Sequence, residues 1–177
     1  RPIWTDDKLF TINRQIEKGN SDADLVNNIM DDAIRARKEY RGSGNPAFFT
    51  TEDVLAEMLL LKDNNGRRIY KSVDELATAM RVSRIVTSPL FENQKREVEH
   101  SETQKKDVYT LQGIIVNLAD YTVGADKGGA VALFDDFDID YNQYKYLIET
   151  RCSGALTVPK SAIVFETMET VSTTVAA

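Results

Sequence analysis

The sequence predicts an α+β domain, and three observations carry that prediction. Three stretches with capping residues and three-to-four apolar spacing stand in a block between Ser21 and Met80. The second half is dominated by extended runs, centred on the β-branched Ile114-Ile115-Val116. A chain of 177 residues, 42% apolar and 28% charged, suits one good core with room for a small second lobe. Helices in a block ahead of strands do not fit a regular βαβ nucleotide-binding order.

The opening stretch, through Trp4, Leu9, Phe10 and Ile12, has no clean period and reads as an arm or short strand that packs on something. The next stretch, "SDADLVNNIMDDAIRARKEY", places Leu25, Val26, Ile29, Met30, Ala33 and Ile34 on one helical stripe. Ser21 and Asp24 form a capping-box pattern, acids crowd the first half, and Arg35, Arg37, Lys38 and Arg41 close the last turns. Gly42 and Gly44 end it. A second helix starts at Thr50 or Thr51 and turns Val54, Leu55, Met58 and Leu59 inward. "NNG" is a turn and "RRIY" an extended segment. A third helix follows, capped by Ser72 and Glu75, with Val73, Leu76, Ala77 and Met80 inward.

"VSRIVTSPLF" reads as a strand stopped near Pro89, and the polar run from Glu92 to Asp107 as a solvated loop. "TLQGIIVNLADY" is an interior strand, "TVGADKGG" a glycine-rich turn, and "AVALFDDFDIDY", "KYLIETR" and "SAIVFE" further strands. Beyond Glu166 the tail reads as frayed.

Several chemistries lack the residues they need. The net charge is -6, and the short basic runs 35–41 and 66–71 are interrupted, so no tight nucleic-acid binding is expected. Cys152 stands alone, which excludes an intrachain disulfide and a thiolate zinc cluster; between Arg151 and "SGAL" it reads as a buried or semi-buried small residue. The sole histidine, His100, lies in a charge-rich run, so no triad or histidine metal site can be assembled. No apolar run is long enough to span a membrane, and none is expected as a partner. The chain starts at Arg1, which suggests a processed or trimmed form.

The stretch Phe134 to Pro159 poses the main functional question. "DFDID" imitates the start of a calcium loop, but Tyr141 stands where glycine and Leu147 where glutamate would be required. As a strand, Phe137, Ile139 and Tyr141 point one way and Asp136, Asp138 and Asp140 the other. That makes an acidic outer or contact face the preferred reading. "GADKGG" lacks the G-K-[ST] ending of a phosphate loop. Glu149 and Arg151 share a strand face, as a local pair or as a bridge across a subunit boundary. Tyr141, Tyr144 and Tyr146 suit an interface, or core and edge positions. No catalytic, cofactor-binding or metal residue is assigned, and no cofactor is expected. The chain reads as a scaffold.

In order and spacing, the helix before "GNPAFF", the "LKDNNGR" turn, "DDFDIDYNQYKYLIETR" and the "GALTVPKSA" ending resemble the C-terminal part of an HK97-like major capsid protein of tailed bacteriophages, over Ala33 to Phe165. The resemblance implies an HK97-like fold with mixed and antiparallel sheets, incomplete at its N-terminus. It makes 1–44 an N-terminal segment with the spine helix of a peripheral domain, 45–129 an axial domain, and 130–177 strands returning to the peripheral domain plus a tail. It implies a structural, non-enzymatic subunit that self-associates into hexamers and pentamers around DNA and meets other virion proteins. Such a subunit is assembled in the bacterial host cytoplasm and located in the virion. The lysine–asparagine cross-link of some members is assigned to no residues here. An encapsulin-like nanocompartment shell protein would look alike. The rival classes are a metal-dependent hydrolase using Asp136, Asp138 and Asp140, and a monomeric binding module.

Overall fold

A computed structural model describes residues 9–100, 105–125, 132–149 and 151–172. Strands and helices alternate at first: β1 (Thr11–Ile16), α1 (Asp22–Ala36), β2 (Ala47–Thr50), α2 (Glu52–Leu60), α3 (Val73–Ala79) and β3 (Ile85–Thr87). Strands follow: β4 (Lys95–His100), β5 (Lys105–Val116), β6 (Tyr121–Ala125), β7 (Ala132–Asp138), β8 (Gln143–Glu149), β9 (Cys152–Leu156) and β10 (Ala162–Ser172). The architecture is α+β with mixed sheets, as the sequence predicts.

The main sheet has six strands in the order β1-β10-β5-β2-β3, with β4 also on β5. β10 runs parallel to β1 and antiparallel to β5. One edge of β5 is shared: Lys105–Thr110 pairs with β4 and Gly113–Val116 with β2. β2 and β3 are parallel, joined through α2 and α3, so the chain does contain one crossover unit.

The three helices begin where their caps predict. Ser21, Thr51 and Ser72 accept from the backbone N–H of Asp24, Val54 and Glu75. The carboxylates of Asp24 and Glu75 reach one residue further back than a capping box requires, to the N–H of Asn20 and Lys71. Ile34 is exposed, and Ala36 takes the buried place expected of it. Thr50, the alternative cap, instead ends β2 and donates from its buried hydroxyl to the Gln112 carbonyl at 2.7 Å. Thr51→Ala should destabilise the fold by about 1 kcal/mol in urea unfolding, because it orphans an N–H that the cap now satisfies.

The helices cover one face of the sheet. Leu25, Ile29, Met58, Leu76 and Met80 pack there on Ile12, Phe48, Ile115, Ile163 and Phe165. This core draws on all three segments that the resemblance distinguishes, 1–44, 45–129 and 130–177. On the opposite face Leu111, Ile114, Val116 and Val164 meet Leu156, with Phe10, Phe49, Phe91, Tyr109 and Tyr121 around them.

A bulge at Gln112 lets β5 serve both layers. The register steps from Phe165↔Gly113 to Glu166↔Leu111, which skips Gln112. Alternation alone would put Leu111 on the helix side with Ile115; the extra residue moves it to the other face. A Cβ at Gly113 would lie 2.6 Å from the Phe48 ring and 3.0 Å from the Phe49 carbonyl oxygen. Both neighbours are fixed by the core, so Gly113→Ala should lose about 1–3 kcal/mol, read from the denaturation midpoint.

Two regions depart from the sequence reading. Within Glu92–Asp107, read as a loop, Lys95–His100 is β4 and β5 begins at Lys105. Charge pairing stands in for apolar alternation: Lys106 meets Glu97, and Arg96 reaches Glu166 on β10 with 2.9 Å bonds to both carboxylate oxygens. Arg96 also lies 4.4 Å over the Tyr109 ring. The tail beyond Glu166, read as frayed, continues β10 to Ser172 because β5 extends alongside it. Of the glycine-rich turn read over Thr122–Gly129, Thr122–Ala125 instead belongs to β6, while 126–129 and Trp4 lie outside the described residues.

Candidate assembly surface

Between the 3₁₀ turn Leu118–Asp120 and Thr157 the chain leaves the sheet as an excursion of four strands. β6 pairs antiparallel with β9, from Tyr121↔Leu156 to Ala125↔Cys152. β7 and β8 pair inside that loop of sequence, from Ala132↔Glu149 to Asp138↔Gln143. Each pair is a sheet of two strands.

Asp120 ties down the base of the arm. It is buried and accepts from the Ser43 N–H at 2.7 Å and the Ser43 hydroxyl at 2.5 Å. Its carbonyl accepts from the backbone N–H of Thr157 at 3.0 Å, holding the outgoing and returning chains together. Burial pushes the neighbouring Tyr40 phenol above its ordinary range, and the Asp120 charge pushes it the same way.

The register of β7 and β8 separates two faces. Leu133, Asp135 and Phe137 lie opposite Ile148, Tyr146 and Tyr144 on one; Phe134, Asp136 and Asp138 lie opposite Leu147, Lys145 and Gln143 on the other. The first face is apolar and aromatic apart from Asp135. Phe137 and Tyr144 meet edge-on at 5.0 Å, and Tyr144 stacks with Tyr146 at 6.4 Å. Yet Leu133, Tyr144, Tyr146 and Ile148 are each more than 60% exposed. Such side chains in solvent on both strands of an isolated pair are unusual for a finished surface.

The aspartates separate on folding. Asp136 and Asp138 share a face as expected, but the strand ends at Asp138, and Ile139–Asn142 form the hairpin turn. Asp138 accepts from the Asp140 N–H at 3.0 Å and pairs with Lys145, so part of the negative charge is met within the hairpin. Asn142 takes a positive φ of 50° to close the turn. Among the described residues no group of three or more His, Cys, Asp or Glu is placed to hold a metal ion.

Glu149 and Arg151 make the local pair, Arg151 Nε donating at 3.0 Å. Tyr141, Tyr144 and Tyr146 are exposed. Cys152, expected to be buried or half-buried, is exposed. It lies at the end of β9, which among the described residues pairs only with β6 in a ribbon of two strands. No helix among the described residues is long and apolar enough to cross a membrane.

A second concave feature was not anticipated from sequence. A groove of about 510 Å³ runs between the first turns of α1 and α2, the Phe91–Asn93 turn and the Thr110–Gln112 part of β5. Its parts lie up to about ninety residues apart in sequence, and only the sheet brings them together.

No protein-family profile matches the chain, and no curated protein matches it. Among solved structures, a virus-like particle from Pyrococcus furiosus is 12% identical with a TM-score of 0.48, over 89% of this chain and 61% of that one. A phage-related protein from Bordetella bronchiseptica is 10% identical with a TM-score of 0.45, over 90% of this chain and 56% of that one. The chain therefore spans less than two thirds of either. Neither superposition reaches a TM-score of 0.5, so the functional reading rests on the sequence and the geometry.

Proposed function

We propose that this chain is a structural subunit of a closed icosahedral shell, a bacteriophage or prophage capsid of the HK97-like kind, built from hexamers and pentamers around DNA. The observation that carries the reading is the β7–β8 hairpin, whose large apolar side chains lie in solvent on both strands. An isolated hairpin is marginally stable in water, so a ribbon with this composition gains most when a neighbouring subunit covers it. Tyrosine and phenylalanine supply contact area there at modest entropic cost.

The sequence resemblance points the same way and assigns the regions. Residues 1–44 carry the spine helix, 45–129 face the capsomer centre, and 130–177 return to the periphery. The role is mechanical and non-enzymatic, in a virion assembled in the host cytoplasm. The acidic charge suits a wall around packed DNA that must not adhere to it.

The test is mass against concentration, with negative-stain microscopy of the same samples. Rings, hexamers, pentamers or shells are expected from the parent chain. The pair Phe137→Ser with Tyr144→Ser should shift it to monomers while its unfolding midpoint barely moves. A parent that stays monomeric at every concentration, or a hairpin variant that assembles like the parent, overturns the reading.

A further inference from the structure

The groove runs along α2 from Asp53 to Glu57, a basic turn follows the helix after Leu60, and together they specify how copies meet. The groove is bounded by Asp22, Asp53, Glu57 and Glu92 above an apolar floor that includes Leu25 and Leu111. Among the described residues none of these four carboxylates has an ion-pair partner. Asp22 and Asp53 lie in the first turns of α1 and α2, where the helix dipole favours them, and the rest of the mutual repulsion is left to water and mobile ions.

The turn follows Leu60, the last residue of α2. The Asp63 carboxylate accepts from the N–H groups of Asn65 and Arg67 at 2.9 and 2.8 Å, and Gly66 supplies a positive φ of 77°. Lys62 and Arg68 form an antiparallel bridge, and the Ile69 N–H donates to the Leu61 carbonyl at 3.0 Å. Arg68 donates to the Leu59 carbonyl at 3.2 Å, and Tyr70 packs on the core. The turn is thus held in one shape before any partner arrives. It presents Arg67, Arg68 and Lys71, with Ile69 45% exposed among them. These three cations also lack an ion pair among the described residues.

An apolar-floored groove with an acidic rim calls for a segment that is basic at its flanks and apolar at its centre. The turn has that composition. Within one copy the turn does not serve this groove, since among the described residues none of its cations pairs with any of the four carboxylates. Complementary patches that do not pair within one copy fit a second copy placed head to tail. A heterologous contact of that kind closes into a ring when its rotation permits.

We infer that the basic turn Lys62–Lys71 of one copy docks in the Asp22–Asp53–Glu57–Glu92 groove of the next, as a head-to-tail contact distinct from the hairpin surface. The inference rests on the shell reading and names the contact that would repeat around a capsomer.

Disulfide trapping tests it. In a Cys152→Ser background, a Glu57→Cys chain is mixed with an Arg68→Cys chain under mild oxidation. Covalent heterodimers should exceed either homodimer about tenfold and fall as salt is raised. In parallel, Asp53→Lys or Arg67→Glu alone should weaken association, and the chain carrying both should regain it. Heterodimers no more abundant than homodimers, or a double reversal that fails to restore association, overturn the contact. Microscopy of the Cys152→Ser parent separates the two claims. Particles without the heterodimer leave the shell reading standing and refute this contact; neither particles nor heterodimer refutes both.

Discussion

Replacing Arg96 by alanine is expected to lower folding stability by about 3–5 kcal/mol, read as a fall in the urea midpoint. Glu166 lies in the middle of β10, 2% exposed, and Arg96 bonds both its oxygens from β4 across β5. The alanine variant leaves the carboxylate buried and removes the guanidinium, together with its contact over Tyr109. Glu166 keeps a further interaction, so the cost is chiefly the two bonds to Arg96 that a buried carboxylate loses, and removing both charges should restore much of it. Arg96→Met combined with Glu166→Leu is therefore expected to be much more stable than Arg96→Ala. If the double variant is no better, the pair is held by packing rather than by its charges.

Phe165→Ala should be equally severe, at about 3–5 kcal/mol by the same measurement. Phe165 is fully buried on β10 beneath the helices and meets Phe48 edge-on at 6.1 Å. Truncation leaves a cavity whose walls are strands and helices tied down on every side, with little room to collapse. Phe137→Ala supplies the contrast. That ring lies on the hairpin, 42% exposed, and its loss should change monomer stability by no more than about 0.5 kcal/mol. Two phenylalanines in one chain should thus report on different things, one on folding and the other on association.

The parts legible in the sequence were those whose signals are local. Ser21, Thr51 and Ser72 mark the helix starts, and three-to-four spacing finds Ile29, Met58 and Leu76. Elements that owe their existence to distant partners were hidden. β4 has no apolar period, because Arg96 is matched by Glu166 seventy residues away. Beyond Glu166, β10 persists because β5 runs beside it to Lys105. β2 is four residues long and directly precedes a capped helix, so its pairing with β5 leaves no pattern of its own. The bulge at Gln112 reverses which face Leu111 serves, and no neighbouring residue announces that. The hairpin was legible as strands, whereas Cys152, read from its neighbours as buried or half-buried, lies exposed on a ribbon of two strands. The groove arises wholly from tertiary assembly.

The place of β10 in the sheet has a consequence for synthesis. Among the described residues it is the last strand in sequence, yet it lies between β1, the first, and β5. On a ribosome, β1, α1, α2 and α3 emerge long before the strand that must separate β1 from β5. The helices then have no complete floor, and Ile163 and Phe165 reach their core only once β10 has followed β5 out of the exit tunnel. Contacts this distant in sequence slow folding and keep partly formed chains exposed. Nascent chains on one messenger therefore hold apolar surfaces that can engage one another or a chaperone before any subunit is finished. A docking-competent core would then form only once β10 has been made, a form of quality control by strand order.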